Sequence, residues 1–445
     1  MAAVSMSPAF QPLQKNERIA SLDVMRGFVL CGILLMNING FALYEAYSDP
    51  TVTGGYTGLN LYTWAMTNLF FEGTMRALFS LLFGVGMFIF LDRLEKKGAG
   101  IEAADIYFRR LCWLLVMGVI HGYLFLWPGE ILFDYAIMGF LVFSFRKLSP
   151  KKLVIFAAFL LAIGTIWNYF DYRHSANLTE DVTKIATLEA QKSPIPDELK
   201  GSQKEWENRM EKRSPEAIQE FNETHNKGYF QVLALLAPIN MQYESYFFYR
   251  YNTWDILSMM LIGIALFKLN VLSGARKSKV YMGMVIAGYG IGLTVNYLEL
   301  KNILNQNFSY LSFNESNVTY DLGRVSISMG HVGLILLFCK ANVLHGLKHS
   351  IAAVGQMALT NYFMHSLICI ILFTGLGFSL FGKLERYQLL YVVFGTWIFQ
   401  LILSPIWLKY FLYGPLEWAW RCLSYKRVYP FRRSIPSAEV QPSLG

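Results

Sequence analysis

Residues 20–42, ASLDVMRGFVLCGILLMNINGFA, decide the fold. After one charged pair near its start, the stretch stays apolar for the ~20 residues that a helix needs to cross a hydrocarbon core. Comparable apolar blocks recur at 60–91, 111–127, 131–145, 153–170, 254–268, 280–299, 321–339, 351–376 and 388–411. The block 60–91 exceeds one straight crossing, so an interfacial or re-entrant start near Tyr62 and Trp64 is expected. The reading is an all-α, polytopic membrane helix bundle of about ten transmembrane helices.

Composition agrees. Of 445 residues, 54% are hydrophobic and 16% charged, against about 25% charged in a typical soluble domain. Mean hydropathy is +0.34. The five cysteines form no CxxC pair and four lie inside apolar blocks, so neither a disulfide framework nor a metal site is implied. No cleavable signal peptide is expected, because the first apolar block carries no small-residue cleavage pattern.

The net charge of +8 is distributed in a telling way. Lys15 and Arg18 precede the first block. Arg93, Lys96, Lys97, Arg109 and Arg110 follow the second, and Arg146, Lys147, Lys151 and Lys152 the fourth. The loops 43–59 and 128–130 hold no Lys or Arg, and only 377–387, with Lys383 and Arg386, breaks the alternation. Basic residues collect on the cytoplasmic side of membrane proteins, so both termini are expected in the cytoplasm. The charge is thus explained by orientation and not by nucleic acid, and membrane lipid is the partner expected of such a bundle. The layout expected is a cytoplasmic segment 1–19, spans over 20–170, an extracytoplasmic insertion 171–252, spans over 253–411 and a cytoplasmic tail 412–445. The stretch 171–230 is polar and reads as partly helical. The tail after Pro430 reads as unstructured.

Ionisable groups inside apolar blocks are costly, and are functional candidates for that reason. Asp23 and Arg26 lie three apart near the cytoplasmic end of the first block, on one helix face. Glu72 and Arg76 lie four apart in the second and are expected to pair. His121, Glu130 and Asp134 flank a Trp127-Pro128-Gly129 turn at the outer side. A histidine with carboxylates nearby suits a general base or a proton relay. Asp321, Arg324, Ser328 and His331 form one stripe, with His331 near mid-membrane. Gln356, Thr360 and His365 read as interior hydrogen-bonding residues, and Asp255 as a helix cap. No dinucleotide fingerprint, Walker motif, HExxH or GxSxG occurs.

The segments RIASLDVMRGFVLCGILLMNINGF, FFEGTMRALFSLLFGVGMFIF, FRRLCWLLVMGVIHGYLFLWPGEILFDYAIMGFLVF, GQMALTNYFMHSLICIILFTGLG and FQLILSPIWLKYFLYGPLEWAWRCLSY resemble the bacterial YeiB family of inner-membrane proteins, a family of unknown function. The likeness covers nearly the whole chain, except 171–230 and the last 20 residues. His365 stands where the family is expected to carry Gln. The resemblance implies a bacterial inner membrane. The first helix, LDVMRGFVL followed by Asn37, is also similar to that of transmembrane acyltransferases, including heparan-glucosaminide acetyltransferases.

That wider resemblance implies acyl transfer from a cytoplasmic acyl-CoA donor to an extracytoplasmic hydroxyl or amine. Arg26, with Arg109 or Arg110 and beside Asp23, would hold the donor phosphates. His121 or His331 would act as base, oriented by Glu130 or Asp134. Arg76 or Arg324 would stabilise the oxyanion, and Glu72 completes the polar set. Two alternatives stand: a secondary transporter, proton-coupled through the same residues, and a structural or assembly role. No inverted repeat or pair of broken helices supports transport in the sequence.

Overall fold

Hydrocarbon offers no partner to a free backbone N–H or C=O, so apolar runs of this length must fold as helices or closed barrels. The computed structural model describes residues 19–45 and 49–433, and these are all-helical apart from one isolated bridge, Phe411 to Arg432. The expected N-terminal segment with Lys15 and Arg18, and the chain beyond 433, lie outside the described residues.

In chain order the helices are α1 (Ala20–Ala42), α2 (Gly58–Phe70), α3 (Thr74–Lys96), α4 (Gly100–Leu124), α5 (Leu132–Phe145) and α6 (Pro150–Ala190). Then come α7 (Asp197–Glu211), α8 (Pro215–His225), α9 (Tyr229–Gln242) and a π-helical stretch, Tyr243–Asn252. The rest are α10 (Thr253–Lys268), α11 (Ser278–Asn305), α12 (Tyr310–Asn317), α13 (Tyr320–Lys340), α14 (His345–Gln356), α15 (Ala358–Phe373), α16 (Arg386–Tyr410) and α17 (Pro415–Tyr425).

Among the described residues five spans are long and apolar enough to cross a membrane: α1, the interrupted run α2–α3, α6, α13 and α16. The pair α14–α15 makes a sixth if its 83° bend is one broken span. The helices α5 and α10 have only 14 and 16 residues, below the ~20 of a typical crossing. Burial separates centre from shell. The apolar window of α1 is 67% buried, that of α16 28% and that of α6 11%, so α6 and α16 present their side chains outward. At the centre α1 crosses α14 closely: a Cβ added to Gly355 would lie 2.8 Å from the Gly27 nitrogen. Small residues permit such backbone approach.

The over-long block gains its shape, and two expectations change. The block 60–91 is two helices, interrupted at Phe71–Gly73, where Gly73 takes φ +65°. Glycine adopts that left-handed conformation without a Cβ penalty. The block 351–376 also breaks, at Met357. The freed N–H groups of Leu359 and Thr360 donate to Glu417 Oε1 at 2.7 and 3.0 Å. A charged cap of this kind stabilises a helix start inside the fold. The chain just after Pro430 is packed, not unstructured. Leu412 N–H donates to Phe431 O at 2.9 Å and Arg433 N–H to Tyr410 O at 3.0 Å. The Phe431 ring sits 4.8 Å from Phe411 and 5.1 Å from Trp418, and aromatic packing supplies the anchor. The polar stretch after residue 170 starts as a continuation of α6, which runs 41 residues, about 60 Å.

Candidate functional site

The interruption at Gly73 decides the chemistry around it. Glu72 belongs to the break and Arg76 to the new helix, so the two do not form the expected i, i+4 pair. Arg76 Nη2 instead lies 2.6 Å from Asp255 Oδ2. Asp255 also binds Arg324, whose Nη2 is 2.6 Å from Asp321 Oδ1. Asp255 is therefore not a helix cap but the centre of a buried network. Asn252 extends it, donating to Asp134 Oδ2 at 2.9 Å and accepting from Arg76 Nη1 at 3.4 Å. The Glu72 carboxylate makes no hydrogen bond or salt bridge among the described residues, and Arg76 acts on it only through space.

These groups wall a cavity of about 450 Å³. Glu72, Arg76, Glu130, Asp134, Asp255 and Asp321 line it, and Asp171 with Arg250 closes one side. Arg324 stands behind that wall. A second cavity, also about 450 Å³, lies beside it and is mostly apolar, lined by Met36, Phe71, Trp127, Ile239 and Ile370. Glu72, Arg76, Gly129, Ile131 and Tyr243 line both.

A third cavity, of about 310 Å³, opens at the end of the bundle where α1 begins. Its mouth carries Arg26, Arg93, Lys97, Arg110 and Arg421, with Asp23 and Glu417. The Asp23–Arg26 pair expected from sequence is present at 3.0 Å. The Arg110 guanidinium packs 3.5 Å from the Trp420 ring centroid, and its Nε has no partner. Arg109 lies elsewhere, bound to Asp105 and to Ser424 O. Inward the cavity becomes apolar, with Phe79, Leu82, Phe83 and Leu114. Tyr362 lines its inner end and also the apolar cavity, so one side chain stands between the two.

The histidines occupy different ground. His121 is fully buried and lines none of the three cavities. Its Nδ1 is 3.2 Å from Glu130 Oε1 and its Nε2 2.7 Å from Ser366 Oγ. The carboxylate fixes the proton on Nδ1, so Ser366 donates to Nε2. Glu130 also accepts from Leu132 and Phe133 N–H. The Ser-His-Glu chain thus ties α15 and α4 to the turn before α5, with the serine hydroxyl closed off. His331 likewise uses both nitrogens. Nε2 donates to Phe70 O at 2.9 Å and Nδ1 accepts from the Tyr289 hydroxyl at 2.7 Å, which pins α13 to α11 and to the end of α2. His365 bonds Gln400 at 3.0 Å, and Thr360 bonds Glu417 at 2.6 Å.

Sequence reading missed Ser366, Glu417, Tyr362 and the basic residues Arg93, Lys97 and Arg421 as members of these sites. Serine and tyrosine in an apolar block give no charge signal. Glu417 follows the last apolar block and reads as tail, yet α17 folds back under α4, where Trp420 Nε1 donates to Arg110 O at 2.8 Å. Among the described residues no group of His, Cys, Asp and Glu could hold a metal ion.

Comparison with known proteins bears on the whole chain. The family model described as a protein of unknown function (DUF418) matches residues 266–427. The chain is 30% identical over 427 residues to the uncharacterized protein YeiB of Escherichia coli (strain K12), covering 93% of this chain and 98% of that one. It is 29% identical over 443 residues to the uncharacterized protein YxaH of Bacillus subtilis (strain 168), covering 96% and 98%. A 39.9 kDa protein of Bacillus acidopullulyticus is 27% identical over 419 residues, covering 94% and 97%. No solved structure matches the chain.

Proposed function

The chain belongs to the YeiB family, and from its cavities we propose that it is an inner-membrane acyltransferase that takes a cytoplasmic acyl-CoA and acylates an amine or hydroxyl on the outer side. The observation that carries this reading is the pair of opposed cavities on Tyr362. One has a cationic mouth and an apolar inner end. The other joins an apolar cavity to a carboxylate-rich one. A donor with phosphates at one end and an acyl thioester at the other matches the first.

In this reading Arg26, Arg110 and Lys97 hold the phosphates by charge-assisted bonds, and the thioester arm lies along Phe79 and Leu82. The acceptor enters the acidic cavity. Glu72, whose carboxylate makes no hydrogen bond or salt bridge, takes the proton from the acceptor nitrogen or oxygen as that atom attacks the thioester carbonyl. The Arg76 Nε–H, also unpartnered, donates to the oxyanion. The C–S bond then breaks, and the thiolate leaves as coenzyme A thiol with the proton that Glu72 collected. The ionic network of Asp255, Arg324 and Asp321 orients Arg76. Both candidate histidines act through position only, since their ring nitrogens are engaged.

The topology proposed with it has ten crossings and both termini in the cytoplasm, supported by the loop charges. Reporter fusions after Lys97, Ala190 and Arg433 test it. Cytoplasmic activity is expected from the first and last, periplasmic activity from the middle one; any reversal ends the orientation.

The reaction is tested with purified protein in lipid nanodiscs, radiolabelled acetyl-CoA and octanoyl-CoA, and a panel of amines and alcohols. Labelled ester or amide, abolished by Glu72→Gln, is expected. No transfer, no hydrolysis and no donor binding would remove the reading. A second reading, a proton-coupled transporter, draws on the 83° break at Met357, since discontinuous helices frame many transport sites. Solute-driven pH change in proteoliposomes without added donor would favour it.

A further inference from the structure

The apolar cavity beside Glu72 is not needed to hold a small soluble acceptor, yet it shares a wall with the acidic cavity. Met36, Phe71, Trp127, Leu236, Ile239 and Ile370 line it. The helices α8 and α9 cover it: Phe221 lies 4.7 Å from Tyr44, whose hydroxyl donates to Lys212 O at 3.0 Å. At about 450 Å³ it is within the range of ligand cavities. An apolar space of this kind is poorly suited to ordered water, which needs two to four polar partners.

The neighbouring cavity supplies the other half of the specificity. Six carboxylates line it (Glu72, Glu130, Asp134, Asp171, Asp255 and Asp321), against the guanidiniums of Arg76 and Arg250 on its wall and Arg324 behind it. Five of the carboxylates already hold partners: Asp255 and Asp321 bind arginines, Asp171 binds Arg250 and Tyr251, Asp134 binds Asn252, and Glu130 binds His121 and backbone N–H groups. Glu72 alone among them makes no side-chain hydrogen bond or salt bridge, Arg76 acting on it only through space, and it stands on the shared wall of both cavities. A ligand meeting this arrangement has an apolar chain on one side of Glu72 and a proton-donating, positively charged group at it.

We propose that the apolar and acidic cavities together form one binding site for a single-chain amphiphile with an amine head group, its alkyl chain in the apolar cavity and its ammonium on Glu72. The inference rests on the assignment of the acidic cavity to the acceptor and names that acceptor's class. The chain supplies affinity through burial, roughly fourfold per methylene. The ammonium supplies selection over a carboxylate head, which would meet an excess of like charge.

The test uses the full chain in nanodiscs with no acyl donor present. The probe is dodecylamine carrying a diazirine on its chain, with labelled peptides read by mass spectrometry. Expected is labelling of segments 71–75, 127–131 and 369–373. Unlabelled dodecylamine should compete about tenfold better than dodecanol or dodecanoate, the margin of one charge-assisted bond. Ethanolamine, lacking the chain, should not compete. Glu72→Gln should cut labelling about tenfold, and Met36→Trp, which fills the apolar cavity, should cut it as well. Equal competition by all three twelve-carbon compounds, or labelling confined to α6 and α16, would overturn the proposal on the wild-type protein alone. Acylation of a soluble amine without probe labelling would overturn it and leave acyl transfer standing. Labelling without transfer from any donor would do the reverse.

Discussion

Ser366 Oγ lies 2.7 Å from His121 Nε2, and the imidazole is backed by Glu130. The order of groups is that of a serine nucleophile, its base and its orienting carboxylate. Ser366, however, lines none of the three cavities and is 1% exposed. Its role is therefore to join helices. Ser366→Ala should leave acyl transfer within about twofold while lowering stability by ~1–2 kcal/mol, the cost of an unsatisfied buried acceptor. Turnover measured in nanodiscs, beside a thermal melt in detergent, checks this. A loss of several orders of magnitude with an unchanged melt would make Ser366 the nucleophile.

The Asp255 carboxylate serves two guanidiniums at once. Removing its charge leaves Arg76 without a salt bridge in a site of low dielectric and Arg324 with Asp321 alone. Asp255→Asn should destabilise the protein by ~3–5 kcal/mol. Adding Arg76→Met should recover part of that loss, because the stranded charge is then gone. A double-mutant cycle on thermal or denaturant stability gives the coupling. Strict additivity would show that the two do not interact.

At the basic cavity Arg110 and Arg109 are adjacent in sequence and differently placed. Arg110 faces the mouth with a free Nε–H, while Arg109 is spent on Asp105 and Ser424. Arg110→Leu should weaken coenzyme A binding about tenfold and flatten its salt dependence, as loss of one charge-assisted contact does. Arg109→Ala should leave affinity near the wild-type value. Isothermal titration at two salt concentrations separates them.

His225, on α8 in the insertion, stacks on Phe381 with ring centroids 3.8 Å apart. Burial lowers its pKa from 6.5 to about 4. The folded state thus refuses a proton that the unfolded state accepts below pH 6.5. Its contribution is intact above that pH and is lost progressively as pH falls to about 4, by an amount on the order of 3 kcal/mol. His225→Phe should flatten the stability profile between pH 6.5 and 4. An unchanged profile would remove His225 as the source.

How much of this was legible in the sequence varies with the range of the interaction concerned. The apolar blocks announced the helices because transfer into hydrocarbon depends on local length and composition. The first block, 20–42, coincides with α1. Asp23 with Arg26 and Asp321 with Arg324 were also legible, since each pair sits on one continuous helix. Glu72 with Arg76 was not, because one left-handed glycine between them ends the periodicity on which the spacing argument depends. The position of the break at Gly73 and the whole of the break at Met357 were equally hidden. The start of α15 is stabilised by a distant group, Glu417.

Which groups meet was decided by tertiary structure alone. The sequence identified Arg76 and Arg324 as misfits in an apolar background and took Asp255 for a helix cap, since the cost of burying a charge makes only residues inside a block conspicuous. It held nothing to say that Asp255 would bind both arginines, that Ser366 would reach His121, or that Tyr362 would stand between two cavities. Those contacts join helices far apart in the chain, and long-range pairing follows from how the helices pack, not from the order of residues within any one of them.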